Sequence, residues 1–85
     1  MKVEFTAHAL RRLGERNISE EAVYEALTTP DEVIEVKHGR RAARKHEPSC
    51  YHIVTIYEAH REALIVVTAI RVDERRIRKI GFTGI

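Results

Sequence analysis

A histidine and two arginines follow one another at a spacing of four residues near the beginning of the sequence: His8, Arg12 and Arg16. Residues four apart lie on one face of a helix, so a helix here would place these three groups side by side. An imidazole exchanges protons near neutral pH, and the planar guanidinium of Arg12 can hold a phosphate. A simpler interpretation is that His8 and Arg12 fasten the helix to a sheet, with Arg12 or Arg16 paired to Glu15 or another carboxylate.

The second half of the chain is basic. Residues 1–36 contain four basic and eight acidic residues, a net charge of −4, whereas residues 37–85 contain eleven basic and five acidic residues, a net charge of +6. The densest cluster, from Lys37 to His46, has five lysines and arginines and no carboxylate. This pattern favours a polyanion or an acidic partner. The alternative is a solvated hairpin whose charge has no binding role.

Two helices are predicted to position His8 and Arg12. Thr6 is a predicted N-cap for a helix from residue 7 to about residue 16, whose apolar positions recur at three and four residues. Ser19 is a predicted N-cap for a second helix, which ends before Pro30 because the residue preceding a proline disfavours helical geometry.

From residue 32 onward the apolar period changes to the alternation of strands. His38-Gly39 predicts a two-residue hairpin loop, and residues 51–58 and 63–72 are the strongest strand segments. The tail after Asp73 is basic, but Gly81 and Gly84 argue against regular structure there. The sequence therefore predicts one α+β domain over residues 1–85. In this prediction two N-terminal helices pack on one face of a roughly four-stranded antiparallel sheet, and the other face is left for a ligand, a partner or solvent.

Short motifs along the chain resemble those of an uncharacterised family of small prokaryotic domains, whose opening reads Phe-(Ser/Thr)-x-His followed by Arg-x-x-x-Arg and Ile-Ser. The matching residues, which span nearly the whole chain, are Phe5-Thr6-Ala7-His8, Arg12, Glu15-Arg16, Ile18-Ser19, Glu21, Val23, Leu27, Pro30, Gly39-Arg40 and Val67-Thr68-Ala69-Ile70-Arg71. That family is more distantly similar to the RelE- and BrnT-type toxins of toxin–antitoxin pairs, which share two helices followed by an antiparallel sheet. The resemblance implies a RelE-like fold, a metal-independent ribonuclease and an antitoxin partner.

Cleavage of RNA without a metal requires a base for the ribose 2′-OH, positive groups around the phosphorane and an acid for the leaving oxygen. In this hypothesis His8 is the base or acid and Arg12 holds the phosphate, while Arg71 and Tyr57 complete the catalytic set from two neighbouring strands. The residues predicted to follow the RNA backbone are Arg40, Arg41, Arg44 and Lys45. Tyr51 or Tyr57 would stack on a base. The simpler interpretation places these tyrosines in the core and Arg71 on the surface.

No cofactor or metal is predicted. Of the five histidines, only His46 and His52 flank one turn closely enough to meet, and no cysteine or carboxylate spacing completes a tetrahedral ligand set. Cys50 is the single cysteine, so it forms no internal disulfide, and it is interpreted as a bystander thiol rather than a nucleophile.

Two further hypotheses stand beside the ribonuclease. The chain can be a non-catalytic basic module that binds nucleic acid or an acidic protein partner, or a homodimer formed through an exposed apolar sheet face. The absence of a long apolar run predicts a cytoplasmic protein with no membrane partner. The 33% charged residues, the absence of Gln and the single Asn resemble the composition of proteins from heat-loving organisms.

Overall fold

The computed structural model describes residues 2–84 as an α+β fold with three helices and a five-stranded mixed sheet. In chain order the elements are β1 (Lys2–Phe5), α1 (Ala7–Arg16), α2 (Glu20–Thr28), β2 (Glu32–Val36), β3 (Arg40–His46), β4 (Tyr51–Ala59), β5 (Ala63–Asp73) and α3 (Glu74–Ile80). The order of strands across the sheet is β1-β5-β4-β3-β2. None of the helices within residues 2–84 is long and apolar enough to cross a membrane.

The local signals for the first two helices and the first hairpin are confirmed. The hydroxyl of Thr6 accepts a hydrogen bond from the Ala9 amide at 2.9 Å, and that of Ser19 accepts one from the Ala22 amide at 3.1 Å. The hairpin loop between β2 and β3 includes Lys37 as well as His38 and Gly39, and the latter two have φ angles of 65° and 70°. Both φ values are positive, as the tight reversal requires.

The prediction of a roughly four-stranded antiparallel sheet was wrong in strand number and direction. β1 is a fifth strand and pairs in parallel with β5, so that Phe5 lies opposite Val66. After β1 the chain passes through two helices and the β2–β3–β4 meander, and β5 then lies next to β1 in the sheet. A four-residue strand has too short a pattern to indicate a partner more than 50 residues away.

The expectation of irregular structure after Asp73 was also wrong, because this segment forms α3. The carboxylate of Asp73 accepts a hydrogen bond from the Arg76 amide at 2.9 Å and caps the helix. Gly81, with a φ of 125°, follows the last helical residue and ends the helix rather than interrupting it. The helices are therefore not all N-terminal.

The sheet is covered on both faces, which explains the apolar character of both sides of its central strands. One core, on the α1/α2 side, contains Ala9, Leu13, Ile18, Val23, Ala26, Ile53, Val66 and Ala69. The other, on the α3 side, contains Ala42, Val54, Val72, Ile77 and Phe82. The second face, which the sequence left open, is thus partly closed by α3 and the residues after it.

Candidate nucleic-acid interface

The three residues spaced by four on α1 have different surroundings. The side chain of His8 is exposed and forms no hydrogen bond or ion pair with residues 2–84. Arg12 pairs with Glu15 at 3.1 Å in a solvent-exposed salt bridge, an interaction that contributes little stability. Arg16 donates to the Ala69 carbonyl at 2.7 Å and to the Thr68 hydroxyl at 3.0 Å, so it fastens α1 to β5.

The other two predicted catalytic residues lie at different levels of the sheet. Tyr57 is 6% exposed and pairs with Val66, whereas Arg71 pairs with Ile53, four residues away along β4. Because a strand rises about 3.3 Å per residue, these levels are about 13 Å apart. Arg71 also forms an ion pair with Glu47 at 2.8 Å. The structure does not bring Tyr57 and Arg71 together, and the catalytic roles stay predictions.

Most of the predicted RNA-backbone cations already have partners within the fold. Arg40 pairs with Glu58 at 3.1 Å, and the Lys45 ammonium donates to the Thr29 carbonyl at 2.8 Å. Arg44 is 3% exposed, whereas Arg41 is exposed and has no side-chain partner within residues 2–84. Of these four cations, Arg41 is the one whose exposed guanidinium forms no ion pair or hydrogen bond within residues 2–84, although Glu35 lies opposite it across the β2–β3 ladder.

Arg44 is the centre of a buried polar network. Its guanidinium pairs with Glu32 at 3.0 Å and approaches Nδ1 of His52 at 3.3 Å. Because arginine can only donate, Nδ1 of His52 must accept, which places the imidazole proton on Nε2. Nε2 then donates to Glu74 at 3.1 Å. The Phe82 ring lies 5.8 Å from the guanidinium carbon, within range of a cation–π interaction.

A potential metal-ligand set overlaps this network. Donor atoms of His46, His52 and Glu74 lie within 4.8 Å of one another. The sequence indicated the two histidines but not the carboxylate, because Glu74 belongs to the helix that was not predicted. A metal on Nε2 of His52 would move the ring proton to Nδ1, which faces the Arg44 N–H groups. The hydrogen-bond arrangement therefore fits a structural network better than a metal centre.

Glu32 is held in its ionised form by several donors. The Thr83 amide makes the largest contribution to lowering the pKa of Glu32 below its usual value of 4.5, and Arg44, the Thr83 hydroxyl and the Gly84 amide lower it further. The amide and hydroxyl of Thr83 lie 2.8 and 3.0 Å from this carboxylate. Glu32 therefore joins β2 to β3 and to the segment after α3.

The most exposed group of cations lies on α3. Arg75, Arg76, Arg78 and Lys79 are exposed, and their side chains form no ion pair or hydrogen bond with residues 2–84. We call this group the α3 basic surface. A shallow depression of about 170 Å³ is lined by three of its members and Asp73. Tyr51, which is 48% exposed, pairs directly opposite Asp73 and so lies beside the start of α3.

The α3 basic surface contains residues that the sequence marked as basic but did not assign to a site. Ile77 lies between Arg76 and Arg78 in the sequence and is fully buried. α3 therefore presents its apolar side to the sheet and its charged side chains to solvent. The N-cap Asp73 followed by Glu74 in the first turn, with Arg78 and Lys79 in the last, is a helix signal that was available in the sequence.

The fold and the α3 basic surface define a class of protein. It is an α+β domain with a five-stranded mixed sheet and a basic third helix. The family model described as "Domain of unknown function (DUF4258)" matches residues 5–80, and the chain belongs to this family. No curated protein and no solved structure matches the chain.

Replacing Arg44 by Met should lower the free energy of unfolding by about 3 kcal/mol, because it leaves the Glu32 carboxylate without its buried partner. The matched control is Arg41→Met, on the same strand but exposed, which should change stability by less than about 0.5 kcal/mol. Urea unfolding followed by circular dichroism measures both. Equal, small losses in the two variants would show that the buried network does not stabilise the fold.

Acid should destabilise the protein partly through Glu32. Its pKa is lower in the folded chain than the usual 4.5, so its stabilising contribution is present above that value and is lost as the pH falls through the folded-state pKa. The variant Glu32→Gln should therefore show a shallower loss of unfolding free energy between pH 6 and about pH 3.

The control for this titration is Glu35→Gln, because Glu35 is exposed on the same strand and forms no side-chain hydrogen bond within residues 2–84. It should keep the acid dependence of the wild type. If Glu32→Gln retained the full wild-type slope, the network around Glu32 would not be what acid disrupts.

Proposed function

We propose that this chain is an RNA-binding domain that holds the phosphate backbone of single-stranded RNA on the α3 basic surface. The observation that carries the proposal is the presence of Arg75, Arg76, Arg78 and Lys79 on one short helix, exposed and without ion pairs within residues 2–84. Such cations are available to an incoming polyanion without the loss of an internal salt bridge.

The size of the α3 basic surface suits a run of phosphates. A seven-residue helix is about 10 Å long, so four cations are concentrated within that length. Arginine guanidinium groups bind phosphate oxygens through two parallel hydrogen bonds. Neutralisation of phosphates by these cations would release counterions, which is the main source of affinity in sequence-independent binding.

RNA is favoured over an acidic protein by what surrounds the cations. Stable protein interfaces usually have an apolar centre, whereas Ile77 of α3 is fully buried in the domain's own core. The exposed aromatic ring beside the helix is Tyr51, and single-stranded nucleic acids combine cationic grooves with aromatic stacking platforms.

The context that we propose for this activity is a toxin–antitoxin pair with an antitoxin protein as partner. Its support is the more distant similarity of the uncharacterised family, which the sequence motifs resemble, to RelE- and BrnT-type toxins, together with the order of two helices followed by an antiparallel meander. Fold analogy does not by itself establish an activity, so the RNA-binding proposal rests on the α3 basic surface.

The variant Arg75→Gln/Arg76→Gln/Arg78→Gln/Lys79→Gln should lose most of the affinity for a fluorescent single-stranded RNA, measured by anisotropy at several salt concentrations. If all four cations contact phosphates, the logarithm of the wild-type association constant should fall with the logarithm of salt with a slope of about −3, and the variant should approach zero slope.

The matched control is Lys2→Gln/Arg11→Gln/Lys37→Gln/Arg61→Gln, which removes the same charge from exposed positions elsewhere whose side chains form no ion pair within residues 2–84. A second comparison replaces Tyr51 or the equally exposed Tyr24 by Ala; loss of a stacked base should cost about tenfold in affinity for Tyr51→Ala only. Equal weakening by the two charge variants would show that binding depends on net charge and not on α3.

A second candidate function is cleavage of RNA with His8 as general base or acid. It is favoured by one observation: the His8 imidazole is exposed and forms no hydrogen bond or ion pair with residues 2–84, so it is available for proton transfer.

If the chain cleaves RNA, His8→Ala should reduce the EDTA-resistant cleavage rate by about 100-fold or more without changing the urea midpoint or the RNA affinity. His38→Ala, an exposed histidine in the β2–β3 loop, is the control and should keep the wild-type rate. Intact RNA after incubation with the wild type would end the ribonuclease hypothesis and leave the binding proposal standing.

A further inference from the structure

A groove of about 430 Å³ lies between β1 and the N-terminal half of α2. It is lined by Val3, Phe5, Glu20, Glu21, Tyr24 and Glu25. None of these residues belongs to the α3 basic surface, and the groove has the opposite charge. It is therefore a separate surface feature with its own chemistry.

The apolar part of the groove is accessible. Tyr24 is 51% exposed, although it is a large aromatic side chain, and Val3 and Phe5 are only partly buried against the first core. An aliphatic or aromatic side chain placed between them would remove apolar surface from water on both partners.

The charged part of the groove has no internal counter-ion. Glu20, Glu21 and Glu25 are exposed and form no ion pair or side-chain hydrogen bond within residues 2–84, and no basic residue lines the groove. The dipole of α2 accounts for glutamates in its first turn, but Glu25 lies beyond that turn. This charge distribution complements a lysine or an arginine.

β1, which lies beside the groove, has a neighbouring strand on one side only among residues 2–84. β1 is an edge strand, and the amides of Lys2 and Thr6 donate inward to carbonyls of the β5 side at 3.4 and 3.2 Å. Hydrogen-bonding groups of a strand alternate in direction, so the N–H and C=O groups of Val3 and Phe5 point away from β5. An extended segment can pair with this outer edge.

We propose that this groove binds an extended, basic segment of a partner protein, which adds to the sheet as a sixth strand beside β1. One apolar side chain of the segment fills the space between Val3, Phe5 and Tyr24. Because alternate residues of a strand share a face, the lysines or arginines that meet the glutamates lie two residues before and after that apolar side chain.

A second copy of this chain is a poor occupant of the groove. Antiparallel pairing of two β1 strands would bring two sets of groove glutamates toward each other, and like charges oppose such pairing. The densest basic segment outside the β2–β3 hairpin is α3, which is helical and has its central apolar residue, Ile77, fully buried. It therefore cannot supply an extended strand with an apolar anchor.

The test uses the full chain and a small set of fluorescent peptides with alternating lysine and apolar residues, in which the central anchor is Val, Leu, Phe or Tyr. At least one peptide should bind the wild type in an anisotropy titration. Glu21→Gln/Glu25→Gln should weaken it about tenfold, whereas Glu35→Gln/Glu62→Gln, which removes two exposed charges elsewhere, should leave it unchanged.

Two further comparisons separate docking from general charge attraction. Tyr24→Ser should weaken binding, whereas Tyr51→Ser should not, and a peptide with N-methylated backbone amides should bind less well than its parent because it cannot complete the sixth strand.

The proposal is overturned if no peptide of the set binds, if both pairs of glutamate variants weaken binding equally, or if the groove proves to mediate a dimer that Tyr24→Ser dissociates in sedimentation. Its failure is distinguishable from failure of the RNA-binding proposal, because the four substitutions on α3 should not reduce peptide affinity.

Discussion

The arrangement of the α3 side of the molecule depends on the ion pair and the hydrogen bonds of the buried Arg44 guanidinium. Arg44 lies on β3 and connects Glu32 on β2 with His52 on β4, and His52 continues the network to Glu74 on α3. An arginine that is 3% exposed is stable only when its charge and its donors are satisfied. The network therefore links the position of α3 to the register of three neighbouring strands.

The position of α3 in turn determines which cations face solvent. Ile77 and Phe82 fill the second core, and the Glu32 carboxylate receives the Thr83 amide and hydroxyl after the helix has ended. With its apolar side fixed in this way, α3 presents its arginines and lysine outward. Three cations of the β2–β3 hairpin have the opposite outcome, because Arg40, Arg44 and Lys45 are used in contacts inside the domain.

Elements set by local signals were predictable from the sequence, whereas those set by distant partners were not. Thr6 and Ser19 identified the helix starts, and Gly39 identified the hairpin. The parallel pairing of β1 was not predictable, because nothing in four residues specifies a strand more than 50 residues later. For α3, Gly81 and Gly84 indicated irregular structure, although both follow the helix. The Asp73 N-cap is the local signal that predicts the helix, and it was not used.

The same distinction applies to the candidate sites. Exposure of a basic residue cannot be predicted from the number of neighbouring charges. Arg44 and Arg41 belong to one cluster in the sequence, and each lies opposite a glutamate across the β2–β3 ladder, but only Arg44 is buried against its glutamate. The acidic groove beside β1 was equally inaccessible to sequence reasoning, because its walls come from two elements whose proximity depends on the whole fold. The net charge of −4 in residues 1–36 has the sign of this groove, but the sequence prediction drawn from the charge asymmetry concerned only the basic half.

RNA binding by the α3 basic surface can be tested by titrating the isotopically labelled chain with a short single-stranded RNA and following the backbone amide chemical shifts residue by residue. The largest changes should cluster on α3 and beside it at Tyr51, with little change at Arg41 or at the beginning of α1. Changes centred instead on the β2–β3 hairpin or around His8 would contradict RNA binding on α3.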